Sequence, residues 1–172
     1  MQNKFPKVYA FIDSQNLNLG VSKDINKKGK LVYKGWKLDM VKLHRYLSEK
    51  FRVQKAILFI GYLENYRDMY KSFKQYGYDI VFKPTVRNEF GKAKGNVDAE
   101  IVLYSSAIMY KDYDIAIVVS GDGDFYCLYK FLKTNNKLKN ILIPNKFSQS
   151  TLLKEFEGYK EFLYRDKKLL EK

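Results

Sequence analysis

The chain has a single cysteine, Cys127, so no internal disulfide can form. It has one histidine, His44, and one tryptophan, Trp36. The histidine sits among charged residues of a predicted helix and reads as exposed decoration, while the tryptophan reads as a packing residue, so neither carries a site. No charged-then-apolar leader precedes Val8, and no apolar run approaches the length of a membrane span. No internal repeat or low-complexity linker interrupts the chain. Together these absences point to a cytoplasmic protein without membrane contact. Acidic residues are also scarce, with 19 Asp plus Glu against 32 Lys plus Arg and a net charge of +13. A field of that sign attracts polyanions, and nucleic acid is the first partner to consider. Biased codon usage in a chain rich in Lys, Asn and Tyr is the plainer source of the same imbalance.

With 172 residues, 46% of them apolar, the chain suffices for one well-buried core and falls short of what two domains usually need, so one domain spanning 1–172 is expected. Its organising stretch is Ile115-Ala116-Ile117-Val118-Val119-Ser120-Gly121-Asp122-Gly123-Asp124-Phe125. A short β-branched run reads as a buried parallel strand. Gly121 and Gly123 then allow a turn, and Phe125, Leu128, Tyr129 and Leu132 resume at helical spacing. Asp122 and Asp124 therefore fall at the carboxyl end of a strand, where open α/β sheets bind ligands. Two close carboxylates repel unless a proton or a cation neutralises them. The plainer reading makes Asp124 a helix cap and Asp122 a turn residue.

Other apolar runs repeat the theme. Val8 to Ile12 forms a strand ending at Asp13, with Asn16 just beyond. Ala56 to Ile60, Ile80 to Phe82 and Ile141 to Ile143 supply further strands, and 161–164 is a candidate edge strand. Helices are expected from Asp39 through Phe51, from Asn65 to Tyr76 with a left-handed stop at Gly77, and from Val97 to about Tyr110 with Asp98 in its first turn. A short helix is expected from Ser148 to Phe156. Strands alternating with helices at this pitch specify a three-layer α/β/α sandwich with a mainly parallel central sheet, of the PIN-like or Rossmann-like kind. The stretch 22–37 is basic, reads as an insertion, and has Lys27-Lys28-Gly29-Lys30 as a hairpin tip or mobile loop. A second basic loop, 85–96, carries Arg87, Lys92 and Lys94. The charged tail 165–172 is expected to be loosely held.

Three blocks, Phe11-Ile12-Asp13-Ser14-Gln15-Asn16-Leu17, Lys94-Gly95-Asn96-Val97-Asp98 and Val119-Ser120-Gly121-Asp122-Gly123-Asp124-Phe125, occur in this order and resemble the NYN domain, a branch of the PIN-like nucleases. The resemblance runs from about Val8 to Phe156, apart from the basic stretch. It implies a metal-dependent ribonuclease with Asp13, Asp98, Asp122 and Asp124 around Mg²⁺ or Mn²⁺, supported by Asn16 and Ser120. RNA rather than DNA follows from the resemblance alone. Two departures stand out. Tyr104 occupies the place where many relatives carry another acid, with Glu100 on a different helix face, and Gly123 stands where a serine or other small residue is common.

A metal held by these acids would polarise the scissile phosphate and activate a water. Lys27, Lys28 and Lys30, with Arg87, Lys92 and Lys94, are the candidates to grip the phosphate backbone. The alternatives are a non-catalytic RNA-binding or scaffold module, favoured by Tyr104, and a phosphotransferase, disfavoured because no Gly-x-x-x-x-Gly-Lys cradle is present. Self-association is left open.

Overall fold

A computed structural model of the chain describes residues 5–84 and 96–172, together with the backbone of 86–87 and 93–94. Six strands form one sheet in the order β10-β9-β8-β1-β4-β5. They are β1 (Val8–Asp13), β4 (Val53–Gly61), β5 (Tyr78–Lys83), β8 (Ile115–Val119), β9 (Leu138–Ile143) and β10 (Lys160–Phe162). Every pairing in this sheet is parallel. Two-stranded ribbons join β2 (Ile25–Lys27) to β3 (Lys30–Tyr33) and β6 (Val86–Arg87) to β7 (Ala93–Lys94).

Alternation along the central strands sends side chains to two cores. Ala10, Ile12, Ile117 and Val119 face one cluster, whereas Phe11, Ala116 and Val118 face the other. The first core is covered by α1 (Ser14–Ser22) through Leu17 and Val21 and by α2 (Met40–Phe51) through Leu43 and Leu47. It also takes Phe73 of α3 (Arg67–Gln75) and Leu170 of α6 (Lys167–Leu170). The second is covered by Ile101 of α4 (Asp98–Leu103) and by Leu128 and Leu132 of α5 (Tyr126–Thr134). Each such side chain contributes roughly 1.5–3 kcal/mol by leaving water.

From β1 the chain fills the sheet outward through β4 and β5, then returns to β1 and continues through β8, β9 and β10 on the other side. The order reverses between β1 and β8, which is where an open parallel sheet leaves a crevice at its carboxyl edge. The register pairs Ile12 with Val119, so Asp13 and Ser120 leave the sheet side by side.

The basic stretch contains the expected hairpin. Lys28 and Gly29 both have positive φ (50° and 74°), as a tight two-residue turn requires. Gly77 is left-handed (φ 97°), as expected of a helix stop, and a side chain there would also strike the His44 ring. His44 itself corrects the expectation of exposure: it is half-buried, edge-on to Tyr78 with ring centroids 5.1 Å apart. Trp36 is buried, in keeping with a packing role.

Other expectations also need correction. The segment after β1 is a helix that apolar spacing did not reveal. The helix begun at Asp98 loosens after Leu103 into a wider π turn over Tyr104–Ile108, with the Ser105 and Ser106 hydroxyls donating to carbonyls one turn back. The segment 148–156 instead contributes a 3₁₀ run over Thr151–Tyr159 capped by Ser150. The tail is not loose. Leu163 and Leu170 are fully buried, the Tyr46 hydroxyl donates to Asp166 (2.6 Å), and Lys42 Nζ donates to the Glu171 carbonyl (2.6 Å).

Candidate metal and nucleic-acid site

At the reversal point, a crevice of about 610 Å³ is lined by Asp13, Asp98, Asp122 and Asp124 together with Asn16, Asn96 and Ser148. The acids arrive from three separate parts of the chain: the end of β1, the start of α4 and the turn after β8.

Local hydrogen bonds explain how each is held. Asp13 caps α1, its Oδ1 accepting from Asn16 N (2.9 Å). Asp122 caps the 3₁₀ turn Gly123–Phe125, its Oδ1 accepting from Asp124 N (3.0 Å). Capping, the plainer role, therefore belongs to Asp122 rather than to Asp124. A carboxylate has two oxygens and several lone pairs, so one capping bond does not exhaust it. Asn16 and Ser120 act on the frame. Asn16 Oδ1 accepts from Gly121 N (2.9 Å), tying α1 to the turn after β8. Ser120, fully buried, accepts from Asp122 N (3.1 Å) and sets the direction of that turn. Asp98 N–H donates to Asn96 Oδ1 (2.8 Å).

Gly121 and Gly123 do not have positive φ; what Gly123 supplies is room. A Cβ at that position would fall 2.3 Å from Ser150 Oγ. A serine there would not fit this chain without displacing Ser150.

Burial and mutual repulsion both act on the crevice acids. Asp13 is only 4% exposed, and its pKa is pushed up to about 6 by burial, which the Asn16 N–H opposes and the charges of Asp98 and Asp122 reinforce. Asp98 is also raised, first by burial, then by Asp122 and Asp124, with Asn96 and Lys83 acting the other way. None of the four acids is in an ion pair among the described residues. Carboxylate oxygens are the donors that Mg²⁺ and Mn²⁺ take, so the residue set fits such an ion. Among the described residues, no three acidic groups are drawn together closely enough to hold a metal ion.

Tyr104 and Glu100 lie elsewhere. The Tyr104 ring packs edge-on against Phe59 (5.6 Å) at the margin of the second core, and Glu100 pairs with Lys83 (3.1 Å). Tyr104 is absent from the crevice lining, so an acid placed there would enter packing rather than the acid cluster.

Lys23, Asp24 and Ile25 line the crevice, so the basic hairpin springs from its rim. Lys28 and Lys30 are exposed at the tip, and Lys27 Nζ lies 5.6 Å from the Phe147 ring centroid. Lys146 Nζ lies 5.1 Å from the same ring. Arg87 and Lys94 are placed only as backbone, in β6 and β7, and Lys92 lies outside the described residues. Sequence reading missed Ser148 as a site residue; only the fold brings it to the crevice, beside Lys23 at the start of the basic stretch.

Comparison with known proteins gives a family and a fold. A family profile described as the NYN domain matches residues 7–159. A crystal structure of a protein of unknown function from Vibrio parahaemolyticus superposes with a TM-score of 0.68 at 20% identity, covering 95% of this chain and 96% of that one. At that identity the likeness speaks for the fold alone. No curated protein sequence matches the chain.

Proposed function

The chain belongs to the NYN domain family, whose members are generally nucleases, and on that premise we propose that it is a metal-dependent ribonuclease acting at the acidic crevice. The observation that carries the reading is the convergence of Asp13, Asp98, Asp122 and Asp124 from three parts of the chain on one crevice, with two of them held at raised pKa and none in an ion pair among the described residues. Such a cluster is costly without a cation, and a fold that needed only helix caps would not require four acids in one place.

Asp13 and Asp122 would hold a Mg²⁺ or Mn²⁺ ion, and Asp98 and Asp124 would act through water or orient the nucleophile. The ion supplies charge neutralisation at the scissile phosphate and an acidified water. Asn16 and Ser120 are positioning residues, since their side-chain oxygens accept from the turn after β8. RNA reaches the crevice through lysines on the hairpin, which contact phosphates without reading sequence.

A second reading, an RNA-binding or scaffold module without turnover, is favoured by Tyr104 packing in the core margin where relatives carry an acid. Labelled RNA incubated with purified protein in EDTA, Mg²⁺ or Mn²⁺ separates the two. Cleavage that appears with metal and stops with EDTA supports the nuclease. Binding without cleavage under every metal condition supports the module.

A further inference from the structure

Beside the crevice lies a larger groove, of about 1000 Å³, that shares Gln15 and Val97 with it. Its floor is the carboxyl end of β4, and one wall is the flank of α3. That flank carries Tyr66, Met69, Tyr70, Phe73 and Tyr76 at helical spacing, an apolar stripe of the kind that normally disappears into a core. Here it overshoots the core. Tyr70 is buried, with its hydroxyl donating to the Gly61 carbonyl and accepting from Leu63 N. Tyr66, Met69 and Tyr76 are 51%, 36% and 39% exposed, and all three line the groove.

The opposite side of the groove adds polar groups, two lysines and one acid, Asp39, to an apolar lining. Among the described residues, Ser14 Oγ and Trp36 Nε1 are buried there without a hydrogen bond of ordinary geometry, the Trp36 contact with the Tyr33 phenol falling short of one. Lys37 and Lys172 also border it, held together by a bond from Lys172 N to Lys37 O (3.0 Å).

We propose that this groove is a base-stacking subsite that holds unpaired nucleotides of an RNA strand continuing out of the acidic crevice, with Tyr66 and Tyr76 as stacking platforms. The identity of the strand as RNA rests on the function proposed above; the groove itself stands on its own geometry. Exposed aromatic faces, unpaired donors and flanking lysines are the combination that single-stranded nucleic acid uses, because every splayed base has a π-face and every linkage a charge. A net charge of +13 brings such a polyanion to the surface. A duplex, whose bases are already stacked on one another, offers these tyrosines nothing.

The test is a binding titration in EDTA, where cleavage does not interfere, using a fluorescein-labelled 12-nucleotide single-stranded RNA and the duplex of the same sequence. Tyr66→Ala and Tyr76→Ala are each expected to weaken single-strand binding roughly fivefold to a hundredfold, the range for loss of one stacked base. Duplex binding should stay unchanged, and Tyr66→Trp should restore the single-strand affinity. Trp36, the sole tryptophan, should change its emission when the single strand binds and not when the duplex does. Unchanged single-strand affinity in both alanine variants overturns the proposal, as does an equal loss for the duplex, or a Trp36 response to an amphipathic peptide with none to RNA. A groove that binds as expected in a protein that cuts nothing with Mg²⁺ or Mn²⁺ would remove the nuclease and leave the subsite. Metal-dependent cleavage with tyrosine variants that bind as wild type would do the reverse.

Discussion

Asp166 and Glu161 share Lys50, at 3.0 and 2.9 Å, and the Tyr46 hydroxyl also donates to Asp166. Those contacts, the Tyr46 hydrogen bond first, hold the Asp166 carboxyl below its usual range. In the crevice Asp13 and Asp98 are shifted the opposite way, with no ion pair among the described residues to relieve them. The two groups are the same chemistry in opposite surroundings. One set of acids fastens the last helix to α2 and is satisfied within the chain. The other is gathered from three parts of the chain, two of which use Asp13 and Asp122 as caps, yet none of its members is in an ion pair among the described residues, which is the signature of a site rather than of a strut.

The sharpest way to break that contrast is to neutralise one acid from each group. Asp122→Asn should lower metal-dependent RNA cleavage by about a thousandfold, the scale of losing several kcal/mol of charge stabilisation. The fold should survive, since asparagine caps as well as aspartate. Asp166→Asn should leave the cleavage rate unchanged. Initial rates on labelled RNA, with circular dichroism as the folding control, decide both.

The two groups should also answer pH in opposite senses. Asp13 is raised from 3.8 to about 6 in the folded protein, so the folded state holds its proton longer than the unfolded chain does. Its contribution is present below about pH 4 and is lost as pH rises through 6, and stability falls over that window. Each tenfold in a proton equilibrium is about 1.4 kcal/mol, so the full effect is on the order of 3 kcal/mol. Urea melts of metal-free protein between pH 4 and 7 should show this fall, and Asp13→Asn should flatten it. Asp166 is lowered, so its stabilisation is present above the usual carboxylate pKa and fades as pH drops below it.

A smaller effect is expected for the fold itself. Asp166→Asn weakens two hydrogen bonds at a partly exposed position and should cost about 1 kcal/mol in the same melts. Smaller still, and confined to binding, is the effect of replacing Lys27, Lys28 and Lys30 with glutamine. The salt dependence of RNA affinity should flatten by at most about 2 log units per log unit of salt, with turnover at saturation little changed. An unaltered slope would make the hairpin only a solvated ribbon.

The crevice half of this contrast is legible in the sequence, and the Asp166 half is not. Val8 to Ile12 and Ile115 to Val119 are short apolar runs that stop at acids, and a parallel sheet turns that pattern into neighbouring carboxylates at one edge. The helix α1 was hidden because Ser14-Gln15-Asn16-Leu17-Asn18-Leu19-Gly20 contains few strong helix formers. It exists because Asp13 caps it and Leu17 and Val21 are buried beneath it. The tail reads as loose on its charge, whereas Leu170 within it is buried and Asp166 and Glu171 are held by Tyr46 and Lys42 of α2, contacts between distant parts of the chain.

The central claim is that the crevice acids await a divalent cation. A calorimetric titration of Mn²⁺ into metal-free protein at pH 7.5 tests it without any substrate. The account predicts a saturable binding isotherm in the wild type and in Asp166→Asn that disappears in Asp122→Asn. An absent isotherm in the wild type, or an identical one in Asp122→Asn, would contradict it.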